Sequence, residues 1–361
     1  MRKTMKILHV ITSLRTGGAE KLMVDLLPRL AQSGVEVELA VFDGTRTDFY
    51  AMLEQRGIKI HPFIIGGSVY SPQHILRLKK LMRSFDIVHT HNTAAQLFAS
   101  MAAAMMRRPP ILVTTEHNTT NRRRGNRLMQ VADCWMYRKY NAVVAITRQV
   151  ADALTEHIGC NIVKIVMIHN GIETRLFQDN GNEIQRKNGT RDIVMVAAFR
   201  PQKDQPTLIR AMKLLPNNFK LHLVGTGDLL EDNRKLVIEL GLDDRVVFEG
   251  VRTDIPAVLH SADYVVMSTH YEGLPLSVLE AMCSGRPLIA SDVPGVNDLV
   301  GGAALMFPDG DANALASHII ALENNPELRK QVIEKCVERG LKYDISLMAD
   351  AYMQLYKELA Q

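Results

Sequence analysis

The 361-residue sequence has little cysteine and no long apolar run. Its four cysteines are far apart, since even the closest two, Cys134 and Cys160, lie 26 positions from each other. This spacing excludes a paired-cysteine zinc site and indicates reduced thiols in a cytosolic protein. The longest apolar stretch, residues 97–106, is far shorter than the roughly 18–20 residues that span a bilayer. We therefore expect neither a secreted protein nor an integral membrane protein.

A signal peptide is also not expected. Residues 7–11 are apolar and follow a basic start, but the run is short and His9 interrupts it. Gly17 and Gly18 then follow in place of a small-residue cleavage site. Together with the cysteine pattern, this favours a cytoplasmic protein.

The two halves of the sequence carry opposite net charges. Overall, 47% of the residues are hydrophobic and 23% are charged, which excludes a disordered or fibrous protein. Residues 1–177 contain 24 Lys and Arg against 13 Asp and Glu, a net charge of +11, whereas residues 178–361 contain 19 against 26, a net charge of −7. A basic half followed by an acidic half suggests two domains with different partners.

Short β-branched runs alternate with longer helical patterns, and the pattern restarts near residue 190. The predicted strands of the first half are residues 5–11, 35–42, 59–63, 86–90, 111–115, 142–146 and 164–168. Those of the second half are residues 192–198, 219–225, 246–248, 264–267, 287–290 and 303–307. This alternation predicts an α/β fold with two Rossmann-like domains, whose parallel sheets face across a cleft. The polar segment 173–190 would connect domain 1–173 to domain 174–345.

Glycine-containing turns follow predicted strands in both halves. Gly17 and Gly18 open a helix in the first half, and Gly225 follows a strand in the second. Glycine lets the backbone approach a ligand closely, and free helix amides attract phosphate, but a purely structural turn is an equal alternative. Neither turn is a G-x-G-x-x-G motif, although Asp43 after the second strand keeps a dinucleotide site open.

Two carboxylates flank a predicted helix start in the second half. Glu272 lies in the loop after a strand, and Glu280 lies about one turn inside the following helix. Pro275 suits the first turn, where the amides of Leu276 and Ser277 would favour a diphosphate. Two such carboxylates can accept hydrogen bonds from paired hydroxyls of a sugar or ribose, although they could also be two solvated glutamates.

Several cations and histidines follow other strands. Arg200 and Lys203 could neutralise a departing phosphate, or form only a surface pair. His89 and His91 form a His-x-His pattern, and His117 follows the next strand. With no third ligand at metal spacing, we predict buried or hydrogen-bonding histidines rather than a metal site.

Taken in order, these motifs resemble the retaining family-4 glycosyltransferases of the GT-B fold over essentially the whole chain. Residues 17–20 are similar to the family's glycine loop, residues 168–177 to its hinge entry, and residues 272–280 to its E-x7-E signature. His117 and Lys203 match the family's histidine and phosphate-binding lysine. Ala198 replaces an arginine that the family often has five residues before this lysine, and Arg200 would substitute for it.

The resemblance implies transfer of a sugar from a nucleotide-diphosphate donor, with a UDP-sugar favoured, to a hydroxyl of a lipid-linked or saccharide acceptor. The anomeric configuration would be retained, and the reaction would serve cell-surface polysaccharide synthesis. Neither a metal nor a separate cofactor is expected, because cations and helix amides would stabilise the leaving group. The first domain would bind the acceptor and the second the nucleotide sugar, and the helix at residues 346–361 would cross back to the first domain.

The resemblance also implies roles for individual residues. Glu280 would hold the donor ribose, Glu272 would hold sugar hydroxyls, and His117 would line the reacting sugar. The residues implied at the reacting centre are Glu272, His117, Lys203 and Arg200. The residues implied in donor binding are Gly17, Gly18, Gly225, Gly273, Leu274, Leu276, Ser277 and Glu280.

Three other functions stay open. A nucleotide-sugar 2-epimerase on the same fold would need further acid and base carboxylates in the cleft, and the sequence does not point to them. A dinucleotide-dependent oxidoreductase is disfavoured because G-x-G-x-x-G is absent. A non-catalytic binding protein is disfavoured by the intact Glu272, Glu280 and Lys203.

A basic cluster in the first half suggests a further partner. Its arginines are Arg107, Arg108, Arg122, Arg123, Arg124 and Arg127, interleaved with Met105, Met106, Met129, Trp135, Met136 and Tyr137. The cluster is either a solvated basic face or a surface that docks peripherally on the anionic inner face of a membrane. No nucleic-acid partner is expected, because no recognised module accompanies the charges.

Overall fold

The computed structural model describes residues 4–15, 17–117, 127–159, 162–178 and 189–361. The chain divides into two units. The first consists of Met1–Gly171 together with Ile345–Gln361, and the second of Ile172–Asp344. This division falls two residues before the boundary that the sequence analysis places after residue 173.

The first unit is built on a parallel seven-stranded sheet. Its strands are β1 (Lys6–Ser13), β2 (Glu36–Asp43), β3 (Lys59–Ile64), β4 (Ile87–His91), β5 (Ile111–Glu116), β6 (Ala142–Ala145) and β7 (Lys164–Met167). They pair in the order β3-β2-β1-β4-β5-β6-β7, and every pair is parallel. The order reverses between β1 and β4, so the loops after these two strands part at the carboxyl edge, where such sheets bind ligands.

Helices connect these strands. They are α1 (Gly18–Gln32), α2 (Asp48–Gln55), α3 (Gln73–Met82), α4 (Thr93–Ala104), α5 (Arg127–Tyr137) and α6 (Arg148–Ile158). The α1 helix ends at Gln32 and is followed by Ser33 and by Gly34, which adopts a left-handed φ of 85°.

The second unit is built on a parallel six-stranded sheet. Its strands are β8 (Arg191–Val196), β9 (Phe219–Val224), β10 (Val246–Gly250), β11 (Tyr264–Met267), β12 (Leu288–Ser291) and β13 (Leu305–Phe307). They pair in the order β10-β9-β8-β11-β12-β13. The reversal here lies between β8 and β11, so the loops after these strands define the ligand-binding edge of this unit.

The helices of the second unit are α7 (Gln205–Met212), α8 (Leu230–Glu239), α9 (Ile255–His260), α10 (Leu276–Cys283), α11 (Val296–Val300), α12 (Ala312–Asn324) and α13 (Pro326–Gly340). Short 3-10 helices lie at Thr174–Leu176 and Leu341–Tyr343. The first and last residues of the unit are adjacent, since Ile172 bridges Asp344 and the Thr174 hydroxyl donates to the Asp344 carboxylate at 2.5 Å. The final helix, α14 (Ile345–Leu359), belongs to the first unit.

Two apolar cores lie on opposite faces of the first sheet, because successive strand residues face opposite sides. Ile7 and Ile11 of β1 belong to a core with α1, α2 and α14. Leu8 and Val10 belong to a core with α3, α4, α5 and α6. The sheet is therefore covered by helices on both faces, so its central strands β1 and β4 are buried nearly throughout.

The helical spacing of Leu347, Met348, Ala351, Leu355 and Leu359 in α14 predicts one buried stripe, and the structure differs from this prediction at Leu347. Met348 and Leu355 are buried as expected, but Leu347 is 54% exposed. The strongest contacts come instead from Tyr352 and Tyr356, which are fully buried against the first sheet. Met348, Ala351, Leu355 and Leu359 of the predicted stripe thus pack on the core, and Tyr352 and Tyr356 extend the buried face because their hydroxyls find hydrogen-bond partners inside the unit.

The other differences from prediction are at element ends. The helical pattern of residues 205–215 predicts a helix that ends at Leu215, but α7 ends at Met212. The last strand begins at Leu305 rather than Ala303. Among the described residues, no helix has both the length and the apolarity needed to cross a bilayer.

Substitution of Leu355 by Ala should destabilise the first unit by about 2–5 kcal/mol, because it leaves a cavity in a packed core. Leu347→Ala on the same helix is the matched control and should change stability by less than about 0.5 kcal/mol. Urea unfolding followed by fluorescence isolates the first unit, since Trp135 is the single tryptophan of the sequence. Equal losses in both variants would contradict the orientation of α14.

Candidate functional site

The second unit holds Glu272 in a group of polar side chains at its carboxyl edge. The Glu272 side chain is almost fully buried and forms an ion pair with Lys203. Gln202 donates to its other carboxylate oxygen at 2.9 Å, and the Thr269 hydroxyl donates to Oε1 at 3.0 Å. A carboxylate buried this deeply is stable because it has a cation and two hydrogen-bond donors.

Two loops bring these side chains together. Gln202 and Lys203 lie in the loop after β8, while Thr269 and Glu272 lie in the loop after β11. A bridge between Lys203 and Thr269 joins the loops, and the His270 amide donates to the Gln202 carbonyl at 2.9 Å. Because β8 and β11 are neighbours at the order reversal, two predicted residues 69 positions apart become one ion pair.

Glycines allow close backbone contacts around this group. A Cβ at Gly295, whose φ is 83°, would lie 2.2 Å from the Glu272 carbonyl oxygen and 2.8 Å from that of Gly273. A Cβ at Gly225 would lie 2.2 Å from the Ala197 carbonyl oxygen. Gly225 therefore has a packing requirement of its own, besides the ligand contact that the sequence analysis predicts.

The other predicted donor-binding residues lie around α10. The helix begins at Leu276, directly after the extended Pro275, so the first amides, those of Leu276 and Ser277, have no acceptor within the helix. Leu274 is buried in the loop before it, and Glu280 is buried within it. Arg200 shares the turn with Lys203 but its side chain is exposed.

Gln202 and Thr269 were not among the predicted residues. Both are neutral, and neither belongs to a motif with a recognised spacing. Their one signal is position, since each lies in a loop after a strand, within three residues of Lys203 or Glu272.

In the first unit, the predicted glycine loop opens α1. Gly17 is extended and caps the helix without a side-chain bond, and a Cβ at Gly18 would meet nothing within 4 Å. The helix amides at this end are thus approachable over Gly18. Thr16 lies outside the described residues.

The structure adds His9 to the predicted histidines. His9 of β1 is in register with His89 of β4, and all of His9, His89 and His91 are fully buried. His9 Nδ1 lies 3.0 Å from His91 Nε2, and His91 Nδ1 lies 3.4 Å from His117 Nε2. The ring nitrogens of His9, His89 and His91 lie within 4.8 Å of one another. The prediction that no third residue is placed to bind a metal was therefore wrong.

Hydrogen bonds already occupy this histidine group. His89 contacts the Tyr356 hydroxyl at 2.5 Å through Nδ1 and the Thr115 hydroxyl at 2.7 Å through Nε2. Burial holds the pKa of His9 near 3 and that of His117 near 4, and lowers those of His89 and His91 well below the usual value. The predicted hydrogen-bonding role of these neutral rings is thus the one that the contacts support.

A polar cavity of about 260 Å³ lies beside His117, at the carboxyl ends of β4 and β5. Glu116 lines it and accepts from Gln96 and from the Tyr137 hydroxyl, each at 2.5 Å. The fully buried Gln96 has no hydrogen-bond partner for Oε1 among the described residues. Asn92, also lining the cavity, is the one described non-glycine residue with a left-handed φ, at 72°. Strain and an unpaired acceptor are typical of a ligand-binding site.

The structure describes part of the predicted basic cluster, which lies in the first unit. Arg107 and Arg108 are exposed, and so are Met105 and Met129. Trp135 is 42% exposed, with Lys139 lying over its ring. Met136 and Tyr137 were wrongly placed in this surface, because α5 turns both into the core. Arg122, Arg123 and Arg124 lie outside the described residues, as does the side chain of Arg127.

Two family models match the chain and together span most of it. The model described as Glycosyltransferase Family 4 matches residues 16–176. The model described as Glycosyl transferases group 1 matches residues 177–339. The two matches thus meet close to the division between the two units.

Two bacterial transferases are similar in sequence. The UDP-Gal:alpha-D-GlcNAc-diphosphoundecaprenol alpha-1,3-galactosyltransferase of Escherichia coli is 25% identical over 63% of this chain and 63% of its own. The N,N'-diacetylbacillosaminyl-diphospho-undecaprenol alpha-1,3-N-acetylgalactosaminyltransferase of Campylobacter jejuni is 28% identical over 55% of this chain and 52% of its own. The chain therefore spans less than two thirds of the length of either relative.

A solved structure matches nearly the whole chain. The crystal structure of HepE from Anabaena in complex with UDP and glucose has a TM-score of 0.86 and 21% identity, covering 98% of this chain and 100% of its own. This likeness confirms the predicted fold class of two Rossmann-like α/β units.

The four buried histidines predict a loss of stability in mild acid. The unfolded chain binds protons near pH 6.5, whereas the folded protein keeps His9 and His117 neutral down to about pH 3 and 4. The unfolded state therefore binds more protons below pH 6.5, and stability falls as the pH falls. Between pH 7.5 and 5.5, each histidine should cost about 1.4 kcal/mol, and the four about 5 kcal/mol, in urea unfolding followed by Trp135 fluorescence.

A His91→Asn variant is the control for this pH dependence. Below pH 6, its unfolding free energy should change by about 1.4 kcal/mol less per pH unit than that of the unmodified protein, because one fewer proton is bound on unfolding. Carboxylates with a lowered pKa, such as Glu38 and Asp43, contribute at lower pH and do not enter this window. An unchanged slope would contradict a neutral buried His91.

Proposed function

This chain belongs to glycosyltransferase family 4 and has the GT-B fold, and on this basis we propose that it transfers a sugar from a UDP-sugar to a hydroxyl of a lipid-linked acceptor. The proposal includes retention of the anomeric configuration and a place in the synthesis of cell-surface polysaccharide. The observation that carries it is the ion pair of Lys203 with Glu272, beside the first amides of α10. Cations and helix amides at this edge suit a diphosphate.

The second unit supplies the donor-binding groups in this proposal. Glu280 holds the ribose hydroxyls, while Glu272 and the Gly273 backbone hold the hydroxyls of the transferred sugar. Lys203, Arg200 and the amides of Leu276 and Ser277 bind the diphosphate. Charge grows on the departing phosphate in the transition state, so these groups lower the barrier without a metal ion.

The first unit supplies the acceptor-binding groups. The cavity beside His117 offers an oxygen acceptor to an incoming hydroxyl, the Glu116 carboxylate. The acceptor hydroxyl attacks the anomeric carbon from the leaving-group face, which retains the configuration. Its proton passes to the departing phosphate oxygen as the sugar–phosphate bond breaks.

Comparisons support the choice of donor and acceptor. The solved relative from Anabaena holds UDP and glucose, and the Escherichia coli relative is named for a UDP-galactose donor. Both bacterial transferases are named for acceptors linked to undecaprenol through a diphosphate. A UDP-sugar and a polyprenyl-diphosphate acceptor are therefore the substrates to test first.

The test is a panel of UDP-, GDP- and ADP-sugars with a short polyprenyl-diphosphate sugar as acceptor. We expect release of UDP and formation of a glycosylated lipid, with the anomeric configuration of the donor retained in NMR spectra of the product. A changed nucleotide sugar without acceptor consumption would indicate an epimerase. No nucleoside diphosphate release from any donor would overturn the proposal.

Substitutions in the second unit test the proposed donor site through UDP binding and turnover. Glu280→Gln should weaken UDP binding in calorimetry by about 10- to 100-fold, because charge-assisted hydrogen bonds to the ribose are lost. The exposed Glu231→Gln of the same unit is the control and should bind UDP normally. Since ribose contacts change little during the reaction, turnover at saturating donor should fall less than affinity.

Docking on an anionic membrane surface would bring the enzyme to a lipid-linked acceptor. The candidate residues are exposed Arg107 and Arg108 together with the exposed Met105, Met129 and Trp135 of the same unit. Exposed apolar side chains among cations favour the interface of a membrane that carries negative lipids.

Trp135 reports this docking directly. Its fluorescence should shift to the blue with vesicles that contain phosphatidylglycerol, and the shift should disappear at high salt. Arg107→Ser/Arg108→Ser should weaken vesicle affinity about thirtyfold, from about 1 kcal/mol for each arginine. Arg46→Ser/Arg148→Ser removes two other exposed arginines of this unit as a control. Equal vesicle affinities of the two variants, or no fluorescence shift with any vesicle, would show that the cluster is only a solvated basic face.

A further inference from the structure

A continuous hydrogen-bonded chain leads from α14 to the cavity in the first unit. We call it the histidine chain, and its members in spatial order are Tyr352, Thr115, His89, Tyr356, His9, His91 and His117. The successive contacts are 3.1, 2.7, 2.5, 3.5, 3.0 and 3.4 Å. All members except His117 are almost completely buried. Its cavity end is therefore the one end open to a ligand.

We propose that the histidine chain runs in one direction, from the Tyr352 hydroxyl to the His117 ring, so that His117 presents an N–H group at Nδ1 to the cavity. His9, His91, Tyr352 and Tyr356 are then positioning residues, which act through His117 without touching a substrate.

The direction follows from the buried end of the chain. Among the described residues, the Tyr352 hydroxyl has one hydrogen-bond partner, the Thr115 hydroxyl. If Tyr352 donates to Thr115, the Thr115 hydroxyl in turn donates to His89 Nε2, since its hydrogen has no other acceptor among the described residues. In the opposite direction Thr115 would donate to Tyr352, and the Tyr352 hydrogen would be buried without an acceptor. An unpaired buried donor is costly, so the first arrangement is the stable one.

The histidines carry this direction to the cavity. Each is neutral because burial lowers its pKa, and a neutral imidazole has one donor and one acceptor nitrogen. His89 accepts at Nε2, so it donates from Nδ1 to Tyr356, whose hydroxyl then donates to His9 Nε2. His9 Nδ1 consequently donates to His91 Nε2, and His91 Nδ1 to His117 Nε2. The remaining proton of His117 must therefore be on Nδ1.

This tautomer decides what the cavity can recognise at His117. An N–H at Nδ1 donates to an oxygen lone pair, such as that of a sugar hydroxyl or carbonyl. The Glu116 carboxylate is an acceptor that lines the same cavity, so His117 and Glu116 together can satisfy both the oxygen and the hydrogen of a hydroxyl group. That this group belongs to a sugar rests on the proposed function, whereas the tautomer does not.

The test is the tautomer of each histidine in the ligand-free full chain at pH 7. Two-bond proton–nitrogen spectra of the protein with 15N-labelled histidine show which ring nitrogen bears the proton, and single substitutions assign the signals. We expect Nδ1–H at His9, His89, His91 and His117. A proton on Nε2 of His117 would overturn the proposal, whether or not the protein transfers sugars.

A Tyr356→Phe variant tests whether the chain acts at a distance. It removes the hydroxyl between His89 and His9, so the direction set at Tyr352 no longer reaches His9, and the preference for one direction is weaker because His9 Nε2 is unpaired in both. We expect signals of both tautomers at His117, although three contacts separate it from residue 356. Tyr50→Phe, which removes a tyrosine hydroxyl from the same core but outside the chain, should give the unmodified spectrum.

A single unchanged His117 tautomer in folded Tyr356→Phe would show that the chain does not set it. Circular dichroism checks the fold of the variant. If it does not fold, the spectrum of the unmodified protein still decides the direction of the chain.

Discussion

Buried polar side chains at the carboxyl ends of parallel strands constrain both units of this protein. Such a group is stable in the interior only when its hydrogen-bonding capacity is met. In the first unit, four histidines meet this condition through one another and through Thr115, Tyr352 and Tyr356. In the second, Glu272 meets it through Lys203, Gln202 and Thr269. The geometry of each group follows from this requirement.

The contacts of Glu272 connect two roles that the family resemblance keeps separate. Lys203 is expected to bind phosphate and Glu272 to bind sugar hydroxyls, yet in the structure they form one ion pair in a nearly buried place. Removal of either charge leaves the other without its partner, which costs more than the loss of a surface contact. Substitutions at these two positions are therefore coupled, and Glu280 is the more separable of the donor-binding carboxylates.

Sequence patterns identified the type and order of the strands well, because alternation and turn residues are local properties. Errors came where a partner distant in sequence decided the outcome. His-x-His in β4 gave no sign of His9, which lies 80 positions earlier and reaches His89 only through strand register. The face of α14 was misplaced at Leu347, because the hydroxyls of Tyr352 and Tyr356 find their partners on β4 and β5.

The sequence by itself determined the two α/β halves, the glycine turns, the opposite net charges and the residues that carry the family's signature. It predicted that Lys203 and Glu272 follow strands, because a strand followed by a helix can be recognised from the local hydrophobic periodicity. Only the tertiary structure decided that they pair, that Gln96 faces a cavity with an unpaired oxygen, and that histidines from two strands join tyrosines of the last helix. These contacts depend on sheet order and register, which arise from packing between segments that are far apart along the chain.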